Sequence, residues 1–178
     1  MKGIVFKELL SMMEDKFGED MTEELIDELS LDSQGAYTSV GYYDHKEILD
    51  IVTALSKKTG LDGSILVKTF GRHLLDTFYK IHPDYFDKPN AIEFMKSVDN
   101  YIHVEVKKLH PDAELPKIEF TENKAGAIKL EYSSKKPFAD LAEGLIERCI
   151  EVFEDSVEMT VPDRSEGTRR IFILTPNG

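Results

Sequence analysis

Apolar residues recur with a helical period through roughly the first 110 positions and with a strand period in much of the remainder. Val5, Leu9, Met12 or Met13, and Phe17 share one helical face, and Gly18 closes the run. Asp20 with Glu23 predicts a capping box for a second helix carrying Leu25, Ile26 and Leu29. Ser33 to Gly41 is a polar connection around Tyr37-Thr38-Ser39-Val40. Asp44 with Glu47 predicts another capping box, before a helix that buries Ile48, Ile51 or Val52, and Leu55 and ends at Gly60. Between Asp62 and His82, Leu66, Phe70, Leu74 and Phe78 fall four residues apart on one face, and Pro83 stops the helix. Asn90 with Glu93 caps a helix holding Ile92, Met95 and Val98. A helix over Asp99 to His110 follows and ends at Pro111, because proline cannot continue it.

Beyond Pro111, Ile118 and Phe120 alternate with charged residues, as do Ile128, Leu130 and Tyr132. Asn123-Lys124-Ala125-Gly126 makes the hairpin turn between them. Residues 137 to 153 return to helix, with Phe138, Leu141 or Ala142, Leu145, Cys149 and Phe153 on one side. Val157, Met159 and Val161 alternate, and the loop Pro162 to Gly167 leads into Arg170-Ile171-Phe172-Ile173-Leu174. The expected fold class is α+β: a helical N-terminal half packed on a C-terminal antiparallel sheet with one long helix behind it. Nothing in the linkers divides the chain, so residues 1–178 are expected to form a single domain.

Length is ample for one sizeable core, and 41% hydrophobic with 31% charged residues is ordinary for a soluble domain. A formal charge of −12 argues against binding nucleic acid or an anionic membrane surface, both of which repel it. No apolar run approaches the ~20 residues of a membrane span, and the opening Met1 to Asp15 lacks the pattern of a secretory signal. Cys149, the single cysteine, excludes an intramolecular disulfide and reads as a small core residue. The expected location is the cytoplasm.

Among candidate chemistry, His103 stands on a partly apolar helix face with Ile102, Val106 and Leu109. An imidazole there can ligate iron or can bond a carbonyl as a core or surface histidine. His110 falls just before Pro111, and His73 lies in the Phe70–Phe78 helix; no His-x-x-x-His pair suggests a two-histidine metal site. Asp99 and Glu105 are placed to orient neighbouring groups. No Gly-x-Ser-x-Gly, P-loop or zinc-protease motif is present, so no enzyme class is indicated.

The order of segments carries more than any one of them. Met1-Lys2-Gly3-Ile4-Val5-Phe6 is followed by Asp99-Asn100, His103, Leu115-Pro116, Tyr132-Ser133-Ser134-Lys135-Lys136 and Asp140 to Glu147. In this order and spacing they resemble the bacterial haem nitric oxide/oxygen-binding (H-NOX) domain, a relative of the haem domain of soluble guanylate cyclase. The resemblance spans essentially the whole chain. It implies residues 1–60 as a helical distal subdomain and 61–178 as a proximal haem-binding part with the sheet.

The resemblance also implies the site. The cofactor is haem b (iron protoporphyrin IX), ligated at its iron by His103. The family's Tyr-x-Ser-x-Arg motif holds the haem propionates; its match is Tyr132, Ser134 and Lys136, where lysine replaces the arginine and loses the planar fork. Pro116 matches the proline that packs on the haem and bends it, with Phe78 pressing from the other face. The distal positions match Val5, Leu9, Leu74, Phe78, Leu141 and Leu145, all apolar. Oxygen-binding members carry tyrosine nine residues after the motif's first residue; here that position is Leu141. A pocket without a donor is expected to select nitric oxide, and carbon monoxide weakly, over oxygen. A haem enzyme would want distal acid/base groups, which these positions lack. A stand-alone sensor implies a separate partner, a histidine kinase or a cyclic-di-GMP enzyme. The alternative, kept open by the Lys136 departure, is a haem-free domain that binds a small ligand or another protein.

Overall fold

The computed structural model describes residues 1–109, 111–123 and 126–177. Helices α1 (Gly3–Phe17), α2 (Glu19–Glu28), α3 (Lys46–Thr59) and α4 (Gly63–Ile81) come first. A 3-10 turn (Pro83–Phe86), α5 (Ala91–Ser97), a π-helical turn (Val98–Ile102) and α6 (His103–Leu109) follow. The remainder is β1 (Lys117–Glu122), β2 (Ile128–Ser133), α7 (Ala139–Val152), β3 (Val157–Thr160) and β4 (Arg169–Pro176). The strands form an antiparallel sheet in the order β1-β2-β4-β3. The architecture is thus the expected α+β arrangement. Among the described residues, no helix is long and apolar enough to cross a membrane. Lys124 and Ala125 of the hairpin turn, and His110, lie outside the described residues.

Some termini follow the sequence signals. Asp62 caps α4 by accepting from the Ser64 N–H, Asn90 caps α5 by accepting from the Glu93 N–H at 2.9 Å, and Gly60 ends α3 in the left-handed conformation. The two predicted capping boxes do not form. Gly18, at φ 92°, precedes α2, so Asp20 lies inside the helix rather than before it. Asp44 accepts from the Lys46 N–H, but Glu47 turns away. Its buried carboxylate accepts from the Ser33 N–H and hydroxyl and from the Tyr37 hydroxyl, fixing the 33–41 connection to α3.

The core has two parts. The first gathers Phe6, Leu9, Met12, Ile51, Phe70 and Leu74 from the N-terminal helices with Phe138. The second gathers Phe86, Phe94, Leu130, Tyr132, Cys149 and Phe172 between α5, α7 and the sheet. Leu145 packs against both. The first and second parts meet where α4 crosses α7 at close range. A Cβ at Gly71 would stand 2.2 Å from the Leu141 carbonyl oxygen, and one at Gly144 would stand 2.0 Å from that of Lys68. Only glycine admits that approach.

A charged network frames the crossing. Glu143 of α7 is buried and accepts from Lys68 Nζ at 3.0 Å, Arg164 Nη2 at 3.0 Å and Arg170 Nη1 at 3.3 Å. Arg170, also buried, pairs with Asp140 and donates to the Arg164 and Glu166 carbonyls. One carboxylate therefore ties α4, α7, β4 and the loop before β4. Cys149 is buried, and burial raises its thiol pKa, in keeping with a core residue.

Candidate haem site

His103 begins α6 directly after the π turn, and its backbone N–H donates to the Val98 carbonyl, five residues back. A π turn adds a residue to one helical turn and so resets which face the following residues present. Asp99, inside that turn, places Oδ1 2.9 Å from His103 Nδ1. A carboxylate only accepts, so Nδ1 carries a proton, and in the neutral tautomer Nε2 then holds the lone pair. Among the described residues Nε2 has no hydrogen-bond partner. His103 and Asp99 line a cleft of about 490 Å³ together with Val104, Leu115 and Pro116. A carboxylate-backed imidazole with a free Nε2 is a donor suited to ferrous iron.

His73 is differently engaged. Its Nε2 lies 3.1 Å from Glu8 Oε2, which also accepts from the Thr77 hydroxyl at 2.8 Å, so these polar groups tie α1 to α4. Glu105 pairs with Lys108 and does not reach His103. Among the described residues, no group of three histidine, cysteine or acidic side chains could hold a metal ion.

Tyr132 ends the buried face of β2, and Ser134 and Lys136 lie in the turn beyond it. The Ser134 hydroxyl accepts from the Lys136 N–H at 3.1 Å, a local turn that leaves the hydroxyl proton to donate elsewhere. Burial pushes the Tyr132 phenol pKa up, while the Ser134 side chain and the charge of Arg170, its cross-strand neighbour, pull it down. The Lys136 ammonium, whose side chain is 13% exposed, lies 2.9 Å from Glu114 Oε2. Lys135 Nζ lies 3.3 Å from the other oxygen of Glu114. Sequence reasoning missed Glu114, because no local pattern links residues 22 positions apart. The Met1 α-amino group donates to the Tyr43 carbonyl at 2.5 Å; burial first and Lys136 second lower its pKa.

Of the apolar positions, Leu9 and Leu74 are fully buried in the N-terminal core, and Val5, Leu141 and Leu145 pack half-buried against the same cluster. All five belong to, or pack against, the N-terminal core cluster. Phe78, in the last turn of α4, is 37% exposed and stands outside both core clusters. Pro116 shares the cleft with His103. Neither the five-residue cluster nor Tyr132, Ser134 and Lys136 line that cleft.

A profile of the family described as Haem-NO-binding (HNOB) matches residues 2–161. The chain belongs to the H-NOX family. H-NOX domains bind haem and act as sensors of gases rather than as catalysts. The Fe(II) unliganded H-NOX protein from K. algicida is 34% identical, with TM-score 0.90 over 100% of this chain and 97% of that one. The H-NOX from Shewanella woodyi, solved bound to IWP-051 in the Fe(II)CO state, is 38% identical, with TM-score 0.84 over 99% of this chain and 95% of that one. The S. oneidensis H-NOX in the Fe(II)NO state matches the fold, with TM-score 0.89 over 100% of both chains at 24% identity.

Proposed function

We propose that this H-NOX domain is a nitric oxide sensor that holds haem b through His103 Nε2. The observation that carries the reading is the Asp99–His103 pair at 2.9 Å, beside Pro116 in one cleft. Haem, when bound, would supply an iron able to bind a diatomic gas. Asp99 holds the His103 ring by its Nδ1–H and makes Nε2 a better electron donor. Tyr132, Ser134 and Lys136 would hold the haem carboxylates, Lys136 as a point charge rather than a fork. Pro116, in the cleft of His103, would supply an apolar contact to the haem, and Phe78, at the end of α4, a further one.

The distal wall consists of Val5, Leu9, Leu74, Leu141 and Leu145, which offer no hydrogen bond. Oxygen would gain far more than nitric oxide from a hydrogen-bond donor in the pocket, and these five side chains supply none. A hydrogen bond to a charged group contributes ~1.5–3 kcal/mol, a tenfold or larger difference in affinity. The pocket therefore selects nitric oxide, and carbon monoxide weakly, over oxygen. The S. oneidensis and Shewanella woodyi proteins solved with nitric oxide and carbon monoxide support both ligands.

Signalling follows from the tether. His103 begins α6, so holding or releasing its ring would decide how freely α6 and the segment leading to Pro116 shift. The two positions must differ in gas affinity for the ligand to bias them. The chain acts in the cytoplasm on a separate partner, a histidine kinase or a cyclic-di-GMP enzyme, and is not itself an enzyme. The test is His103→Gly. It abolishes stable ferrous haem binding, and added imidazole restores it; an unchanged spectrum in the variant removes His103 from the role.

A further inference from the structure

We propose that Glu114 competes with the haem carboxylates for Lys136 and thereby sets how firmly this chain retains haem. The proposal rests on the haem-binding reading above, in which Lys136 serves a propionate.

Glu114 Oε2 is 2.9 Å from Lys136 Nζ, at the hydrogen-bond distance a propionate oxygen would also take. Lysine presents a single compact charge, so two carboxylates drawn to it are brought close and repel each other. An arginine fork would spread its donors over two partners; Lys136 has no such plane. Glu114 stays charged as a rival even when displaced, because an exposed glutamate is ionised at neutral pH; while paired, hydrogen bonds from Lys136 and then Lys135 lower its pKa further. Glu114 sits between the buried Ala113 and Pro116, which lines the cleft of His103. Its side chain is 52% exposed and is free to swing into water when displaced.

The same pair has an opposite effect on the protein without haem. Lys136 is 13% exposed, and Glu114 is its ion-pair partner among the described residues. Removing that partner leaves the charge of a mostly covered side chain unpaired. Glu114 thus supports the haem-stripped fold and weakens the grip on haem, two effects of opposite sign that a purely structural carboxylate would not combine.

The experiment uses the full chain as wild type, Glu114→Gln and Glu114→Ala, reconstituted with haem. Haem release is followed by transfer to apomyoglobin in excess, and thermal melting is recorded on the haem-stripped proteins. Glu122→Gln, an exposed substitution on β1, makes the same change in net charge. The expected result is release from both Glu114 variants roughly two- to fivefold slower than wild type, the scale of a partly exposed ion pair. Their stripped forms melt below wild type, and Glu122→Gln matches wild type in both assays. Release that is equal or faster in the Glu114 variants overturns the competition and leaves the haem reading intact. Equal slowing in Glu122→Gln, or unchanged melting of the stripped Glu114 variants, also overturns it. A wild-type chain that takes up no haem overturns both readings together.

Discussion

Asp99 Oδ1 lies 2.9 Å from His103 Nδ1, four residues on, across a π turn. The carboxylate fixes which nitrogen of the ring is protonated and hence which one is free. Asp99→Ala is expected to loosen the His103 ring and speed haem loss by roughly tenfold, in the range seen when a partner behind a metal-bound histidine is removed. Asp99→Asn keeps an acceptor without the charge and should fall between. Haem transfer to apomyoglobin, with circular dichroism to confirm the fold, measures both.

Leu141 tests the distal wall. It packs half-buried against the cluster of Leu9 and Leu74, beside the close crossing at Gly71. Leu141→Tyr supplies a hydroxyl donor and is expected to raise oxygen affinity tenfold or more, the effect of ~1.5–3 kcal/mol. Oxygen titration of the reduced variant reads it, and a variant that stays indifferent to air counts against Leu141 as a pocket residue.

Gly144 tests the crossing itself. A methyl group there meets the Lys68 carbonyl oxygen at 2.0 Å, so α4 and α7 must separate. Gly144→Ala is expected to cost ~1–3 kcal/mol, as overpacking does, and to lower the thermal midpoint. Glycine's poorer helix propensity works in the opposite direction by only ~1 kcal/mol. A variant as stable as wild type would show that the helices part freely.

Glu143 makes stability depend on acid. Burial alone would raise its pKa, but hydrogen bonds from Arg164 and Lys68 outweigh burial and hold it below the ordinary 4.5. A carboxylate depressed in the folded state contributes stability above its unfolded value, and that contribution is lost as pH falls through the folded value. The chain should therefore lose stability below about pH 4.5. Glu143→Gln should be less stable at neutral pH and show a flatter acid limb in denaturant titrations. An acid limb identical to wild type would rule out Glu143 as its source.

How far these features could be read from the chain depends on how local their causes are. The α4 stripe from Leu66 to Leu74, the cap at Asn90, the stop at Gly60 and the alternation of β2 are set within a few residues, and they appear as expected. The capping box at Asp44–Glu47 fails because Glu47 finds Ser33 and Tyr37 instead, partners that local spacing does not reveal. The π turn before His103 has no glycine or proline to mark it, so the local pattern predicts a continuous helix there. Asp99 was visible as a candidate orienting group, but its 2.9 Å approach to Nδ1 is a property of the folded turn. Glu114 with Lys136, and Glu143 with Arg170, are ion pairs 22 and 27 residues apart. Charge patterning within a helix cannot announce such pairs; only the fold brings them together.

The most direct test of the central claim is the visible absorption spectrum of the reduced protein, first in air and then with nitric oxide. The account predicts a five-coordinate ferrous haem spectrum that is indifferent to air and changes on adding nitric oxide. A stable spectral change in air would contradict the selectivity assigned to Val5, Leu9, Leu74, Leu141 and Leu145. No haem absorption after reconstitution would contradict the sensor assignment itself.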